Sequence, residues 1–452
     1  MRLGLEGRLS RGALFSLLGA LLTLLAITLP ELGSDPWPFR PDGIEPRGLL
    51  APLVRAAGEE WDVGIARTVC FLAALAVALC GAAGLRGRGW PAWTGAALTL
   101  AVALALLLPS TLLQVGLRDA SAPWFYTNDS TYQIEIAGDL ILDGRNPYGH
   151  DYRFSGMERF YSFDGSASRA IREREVALEH YAYFPGTAIV SALWRVLPRP
   201  FDDFRVFVVL MTLAGFLAAL AFRAPIGCRL AIGALVVANP IAVRSAWFGQ
   251  NDAPSITLMI LAFALVSRER PRWAAASLAA AVLLKQFAVV AIPFLALMLV
   301  ARGLPREELK RCALIFAGIV GAGVLPFLIA DPVAFYEDTV KFGAGTYKIV
   351  GYGLSGTLVR AGIVEDREGS YPFLILALLT WLPLTAWLLV QQHRARELWV
   401  GAAAFSISIL VLLFVGRTFN NYYLLWPMTG AAIAALLFAG ERGFGRSPPS
   451  AV

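Results

Sequence analysis

The chain has 452 residues, of which 57% are hydrophobic and 16% charged, and its mean hydropathy is +0.61. That is too little charge to coat a soluble domain, so the composition places the protein among polytopic membrane proteins. The formal net charge of +6 comes from arginine, the mark of cytoplasmic membrane loops, and does not point to nucleic acid. Lysine occurs at Lys285, Lys310, Lys341 and Lys348. With the Ala, Leu and Gly richness, this suggests a GC-rich bacterial genome and hence a bacterial plasma membrane. Cys70, Cys80, Cys228 and Cys312 lie in or beside apolar runs without a C-x-x-C pair and read as packing residues.

Arg2, Arg8 and Arg11 precede an apolar run at 13–30, expected as an uncleaved first span with its N-terminus inside. A Pro-rich, net acidic interval follows to about residue 62. Spans at 64–85 and 92–115 flank an inside turn at Arg86-Gly87-Arg88. Each can cross a ~30 Å core at about 1.5 Å per residue. Residues 116–183 then form the longest polar interval, expected outside. Phe184–Leu197 is short and bears Arg195, which fits either a full span or a re-entrant element. Spans at 204–222, 228–247 and 252–266 follow.

The run 273–300 is too long for one span and is interrupted by Lys285-Gln286 and Pro293. Two segments meeting near Lys285 keep the arginine-rich flanks 268–272 and 302–311 on the same, inner side. Further spans are expected at 312–330, 372–390, 398–416 and 422–439, with a second polar loop at 331–370. The fold class is therefore all-α and integral to the membrane, with about 11–13 transmembrane or re-entrant helices. Residues 1–90 stand as additional N-terminal helices. Residues 91–440 form the main membrane domain, with external loops at 116–183 and 331–370, and 441–452 form a cytoplasmic tail. Positive-inside reasoning sets Asp129, Gly249–Asp252, Lys285 and Arg417–Tyr423 outside.

The polar stretch Trp124–Tyr152 carries the most chemistry. Tyr132, Ile136 and Leu140 recur at four-residue spacing, and Gly144 follows where a helix would end. Residues 130–142 thus read as an interfacial helix with its apolar side toward the membrane. Asp129 stands at its start, either as a helix cap, with Ser130 as the other choice, or as a catalytic carboxylate. Glu135 and Asp139 share one face, read as solvated. Arg169–Glu179 alternates charge and reads as a solvated helix. His150 and His180, some thirty residues apart with carboxylates nearby, have no specific zinc spacing. A lysine amid apolar residues costs ~2.5–3.5 kcal/mol at a helix centre, so Lys285 is a functional candidate or a snorkelling side chain. Asn251-Asp252 either cap the next helix, or Asp252 or Gln250 hydrogen-bonds a sugar. The cluster Arg417–Tyr423 is either an interfacial aromatic belt or a place where Arg417 meets a phosphate.

Asp129-x-x-Tyr132, the helical run and Gly144-Arg145-Asn146-Pro147-Tyr148 together resemble the first external loop of the GT-C superfamily. Three more stretches match in kind and order: Tyr181-Ala182-Tyr183-Phe184-Pro185, Phe248-Gly249-Gln250-Asn251-Asp252 and Leu283-Leu284-Lys285-Gln286-Phe287. The chain resembles the polyprenyl-phosphate-mannose-dependent mannosyltransferases of glycosyltransferase family 87 over roughly 116–430. The resemblance implies transfer of a hexose, mannose first, from a polyprenyl-phosphate donor to a lipid-linked or cell-envelope glycan on the extracytoplasmic face, with inversion. It maps the general base to Asp129. Substrate contacts are expected from Tyr132, Arg145, Tyr148, Gln250, Asp252, Lys285, Arg417 and Tyr422, with Lys285 and Arg417 toward phosphate. No cofactor is implied beyond the lipid-linked donor, and a divalent metal is left open. A transporter or flippase of lipid-linked sugars, a glycan polymerase or ligase on a similar scaffold, and a partner that has lost activity are the competing readings.

Overall fold

Long runs of Leu, Ala, Val and Phe without solvent-facing charge satisfy their own backbone as helices once water is excluded. The computed structural model accordingly shows helices joined by short turns, and describes residues 5–33, 45, 47–56, 63–83, 89–161 and 175–443. Most of the Pro-rich interval, the Arg86-Gly87-Arg88 turn, most of Arg169–Glu179 and the tail beyond residue 443 lie outside the described residues.

The helices are α1 Arg11–Gly33, α2 Ala51–Ala56, α3 Val63–Ala82, α4 Ala92–Asp119, α5 Asp129–Leu142, α6 Pro185–Trp194, α7 Phe204–Leu220, α8 Ile226–Ala238, α9 Pro240–Phe248 and α10 Asp252–Ser267. They continue with α11 Pro271–Leu284, α12 Ala291–Ala301, α13 Arg306–Ala330, α14 Pro332–Tyr336, α15 Leu354–Arg360, α16 Phe373–Leu376, α17 Leu382–Ala395, α18 Leu398–Val415 and α19 Leu425–Gly443. Among the described residues, seven helical segments are long and apolar enough to cross a membrane, or eight if α8 and α9 form one bent span. Four shorter apolar helices accompany them. The protein is an all-α, multi-span membrane protein.

One departure from the expected spans has a local cause. The run 228–247 is broken at Asn239-Pro240, where α8 and α9 meet at 47°. Proline has no amide hydrogen and pushes the preceding residue out of the helical region. Asn239 is extended, with ψ 150°, and its side chain accepts from the Ala242 amide to start α9. By contrast, the break near Lys285 falls where it was expected. Lys285 is extended (φ −155°, ψ 122°) between α11 and a 3-10 turn, Gln286–Val290. Helix α6 has ten residues, which reach about 15 Å, half of a bilayer core. It cannot span alone.

The chain divides into two units, 1–127 with 199–269 and 435–452, and 128–198 with 270–434. In the first, Leu17, Leu21, Leu106, Phe216, Val237 and Trp247 join one buried core. The same unit holds an ionic network. Asp203 caps α7 and faces Arg205 at 2.6 Å and Arg118 at 3.0 Å. Arg205 also donates to the carbonyl of Tyr126, a residue with φ +54°.

In the second unit α5 packs on α6. Its Tyr132, Ile134, Ala137 and Leu140 are buried within the protein, which corrects the expectation of an apolar side turned to the membrane. Glu135 is buried as well, 3% exposed, so it does not belong to a solvated face. Asp139 pairs with Arg195 of the α6 C-terminus at 2.9 Å. The close approach depends on Gly138, where a methyl would come within 2.8 Å of the Ala192 amide nitrogen and 2.9 Å of the Ser191 carbonyl carbon. Gly138→Ala is expected to destabilise the protein by about 1–3 kcal/mol through overpacking against a backbone that cannot yield. Thermal unfolding of the detergent-solubilised variant measures this. The second polar loop, 331–370, is not wholly loop. It contains α14, a π-helical stretch Glu337–Thr346 and α15, and its Val350–Gly351 pairs in parallel with Thr418–Phe419.

Candidate active site

The site starts from how α5 is capped. Asn128 is extended, and its side-chain oxygen accepts from the Thr131 amide at 2.9 Å and the Ser130 hydroxyl at 2.6 Å. The capping role is Asn128's, and Asp129 is the first helical residue. One carboxylate oxygen of Asp129 accepts from the Ser130 amide at 2.8 Å, and the other from the Tyr161 hydroxyl at 3.2 Å. Asp129 is half-buried by exposed surface yet enclosed by protein. Desolvation raises its pKa above the ordinary carboxylate value, against the opposing pull of the Ser130 amide, the Tyr161 hydroxyl and the field of Lys348.

Tyrosines surround this carboxylate. Burial and the nearby Asp129 charge push the phenols of Tyr161, Tyr183 and Tyr347 well up, so all three are neutral hydroxyls. Tyr422 is close enough to act on Tyr183 and Tyr347. Lys285, 5% exposed, holds its ammonium 5.1 Å from the Tyr183 ring centroid and 5.6 Å from that of Phe287. Phe287 in turn meets Tyr423 and Trp426 edge-on. The helix break that frees Lys285 is tied down next door, where the Gln286 amide donates to the Ala182 carbonyl at 3.1 Å.

The residues expected at the site separate clearly. Asp129, Lys285 and Tyr422 share this tyrosine cluster. Tyr132 is buried and donates to the Ser155 carbonyl at 2.6 Å. Tyr148 is buried among Tyr181, Phe327 and Phe335 and donates to the Tyr183 carbonyl at 2.8 Å. Both hydroxyls hold backbone. Arg145 is exposed. Arg417 is 5% exposed and donates to the Tyr347 carbonyl at 2.6 Å and the Gly369 carbonyl at 3.3 Å. Its guanidinium thus fastens the second loop. Gln250 and Asp252 belong to the first unit, where Gly249 ends α9 with φ +88° and Asp252 opens α10, 1% exposed. His180 faces Asp338 at 2.6 Å, and His150 stacks edge-on to Tyr152. Among the described residues no three His, Cys, Asp or Glu side chains converge.

Tyr161, Tyr347, Lys348 and Glu175 carry no motif and escape a reading of the sequence. The sole hint is that Lys348 is one of the few lysines.

The family model for glycosyltransferase family 87 matches residues 181–416, just over half of the chain. The chain belongs to glycosyltransferase family 87. This family 87 member is therefore a membrane glycosyltransferase, with a sugar donor and an acceptor as its substrates. The match spans Tyr183, Lys285 and Tyr347 and begins after Asp129. No curated protein and no solved structure matches the chain.

Proposed function

We propose that this family 87 enzyme transfers a hexose, mannose first, from a polyprenyl-phosphate carrier to a lipid-linked or cell-envelope glycan, on the extracytoplasmic face and with inversion. One observation carries the reading. A carboxylate with a raised pKa heads a helix within a group of neutral tyrosines, and one of those rings bears the ammonium of Lys285. A base whose pKa approaches the working pH is the efficient kind.

In the proposed step the acceptor O–H gives its proton to Asp129. The acceptor oxygen forms a bond to the anomeric carbon as the bond from that carbon to the phosphate oxygen breaks. The electron pair leaves with the polyprenyl phosphate, and Lys285 meets the growing negative charge. Attack opposite the leaving phosphate inverts the centre. Asp129 then returns its proton to solvent. The tyrosine hydroxyls, Tyr422 included, are suited to sugar hydroxyls, and the rings to the apolar face of a hexose. Arg417 contributes by holding Tyr347 in place.

Membranes containing the enzyme are given radiolabelled polyprenyl-phosphate mannose, polyprenyl-phosphate glucose or a nucleotide-linked mannose, each with and without chelator. Label is expected to move from a polyprenyl-phosphate donor and not from the nucleotide sugar. Transfer from the nucleotide sugar alone overturns the proposal. Lys285→Met is expected to lower kcat/KM by about 100-fold, the scale of losing one charge-stabilising group, with the initial rates read over a donor series.

A further inference from the structure

Lys348 sits in the second polar loop, two residues before the Val350–Gly351 strand. Its ammonium lies 3.2 Å from Glu175 and 5.4 Å from the centroid of the Tyr161 ring. The Tyr161 hydroxyl in turn donates to Asp129 at 3.2 Å. Glu175, Lys348, Tyr161 and Asp129 therefore form one continuous line, built from four separate segments of the chain. The lysine is not placed like a phosphate ligand. A carboxylate already meets its charge, and its side chain is 29% exposed beside a Glu175 that is 19% exposed.

A cation against a phenol ring is held there by the ring quadrupole, and it polarises the O–H toward whatever that O–H faces. Here the O–H faces the carboxylate that must stay ionised to receive a proton. Among the described residues, the groups facing Asp129 are Tyr161, Tyr183 and Tyr347, all neutral, and Lys348. Beyond them lie Tyr422, Glu175 and, on Tyr183, Lys285. Among the described residues, Lys348 is the positive charge that acts on Asp129 itself.

We infer that Lys348, steadied by Glu175 and seated on Tyr161, is a positioning residue that keeps Asp129 ionised for proton acceptance. The inference rests on Asp129 being the base. A cation stabilises the charged form of a nearby carboxylate, and burial opposes it. Losing the cation therefore moves the acid limb of the rate profile upward. Losing the anion that offsets the cation moves it down.

The test is the pH profile of kcat/KM for sugar transfer in membranes carrying wild type, Lys348→Met, Lys348→Arg, Glu175→Gln or Asp129→Asn. In Lys348→Met the acid limb is expected about half a pH unit higher, which costs about threefold in rate on the limb and little on the plateau. Lys348→Arg keeps the limb in place, and Glu175→Gln lowers it. A uniform fall at every pH with an unmoved limb in Lys348→Met makes Lys348 a substrate ligand or a structural residue and overturns the inference. If Lys348→Met does not accumulate, the opposite shift in Glu175→Gln decides, and an unmoved limb there overturns it equally. Wild-type transfer by Asp129→Asn removes the base reading instead, a distinct outcome.

Discussion

Asp129→Asn is expected to reduce sugar transfer by about 100- to 10,000-fold, the usual worth of a positioned base, without loss of stability. The second half of that expectation follows from sign. The pKa of Asp129 is raised in the fold, chiefly by desolvation. The ionised carboxylate is thus better accommodated in the unfolded chain, and its presence lowers stability as pH rises through the raised value. Asparagine removes that charge. Its amide oxygen can still accept from the Ser130 amide, and Asn128 still caps α5. The melting temperature at neutral pH should be unchanged or higher. Transfer assays on membranes matched for protein, with thermal unfolding of the purified variant, test both halves. Full transfer would return Asp129 to an ordinary first-turn residue, and a large loss of stability would mean the carboxylate braces the loop.

The second large effect is structural. Asp203→Ala is expected to destabilise the protein by about 3–5 kcal/mol, the cost of stranding buried charge. Asp203 is 5% exposed and faces Arg205 and Arg118. Burial alone would raise its pKa, but the two guanidinium groups outweigh it and hold the carboxyl well below the usual range. Its contribution is therefore present at neutral pH and fades only as pH falls below the ordinary carboxylate value toward the depressed one. Arg205 also holds the carbonyl of Tyr126, whose left-handed backbone is costly for an aromatic residue. Heating the solubilised variant and measuring the soluble, monodisperse fraction checks the magnitude. Replacing Asp203, Arg205 and Arg118 together by apolar residues should cost far less than Asp203→Ala.

These two sites differ in how far they could be read beforehand. The helix that Asp129 heads was legible from its four-residue spacing and the glycine after it, and the break at Lys285 from a run too long for one span. The break at Asn239 was written in its Asn-Pro pair but submerged in an apolar run. What covers a helix was not legible. Glu135 and Asp139 do share a face, yet only packing on α6 buries the first and pairs the second with Arg195. The sequence points Arg417 toward phosphate, whereas its observed partners are backbone carbonyls, which leave no mark on sequence. Tyr161, Tyr347 and Lys348 converge from distant segments, and a single sequence shows no such convergence.

The grip of Arg417 on the second loop bears on how such an enzyme diversifies. One guanidinium holds both Tyr347 and Gly369, Ser355 bonds the Gly416 carbonyl at 2.8 Å, and Tyr371 bonds that of Val415 at 2.6 Å. Ile349, Val364 and Tyr371 form a small core of their own within the segment. The stretch between the two anchor points is thus held along its length, not only at its ends. Exposed positions within it, such as Tyr352 and Ile363, can change without loosening the contacts that hold Tyr347 and Lys348.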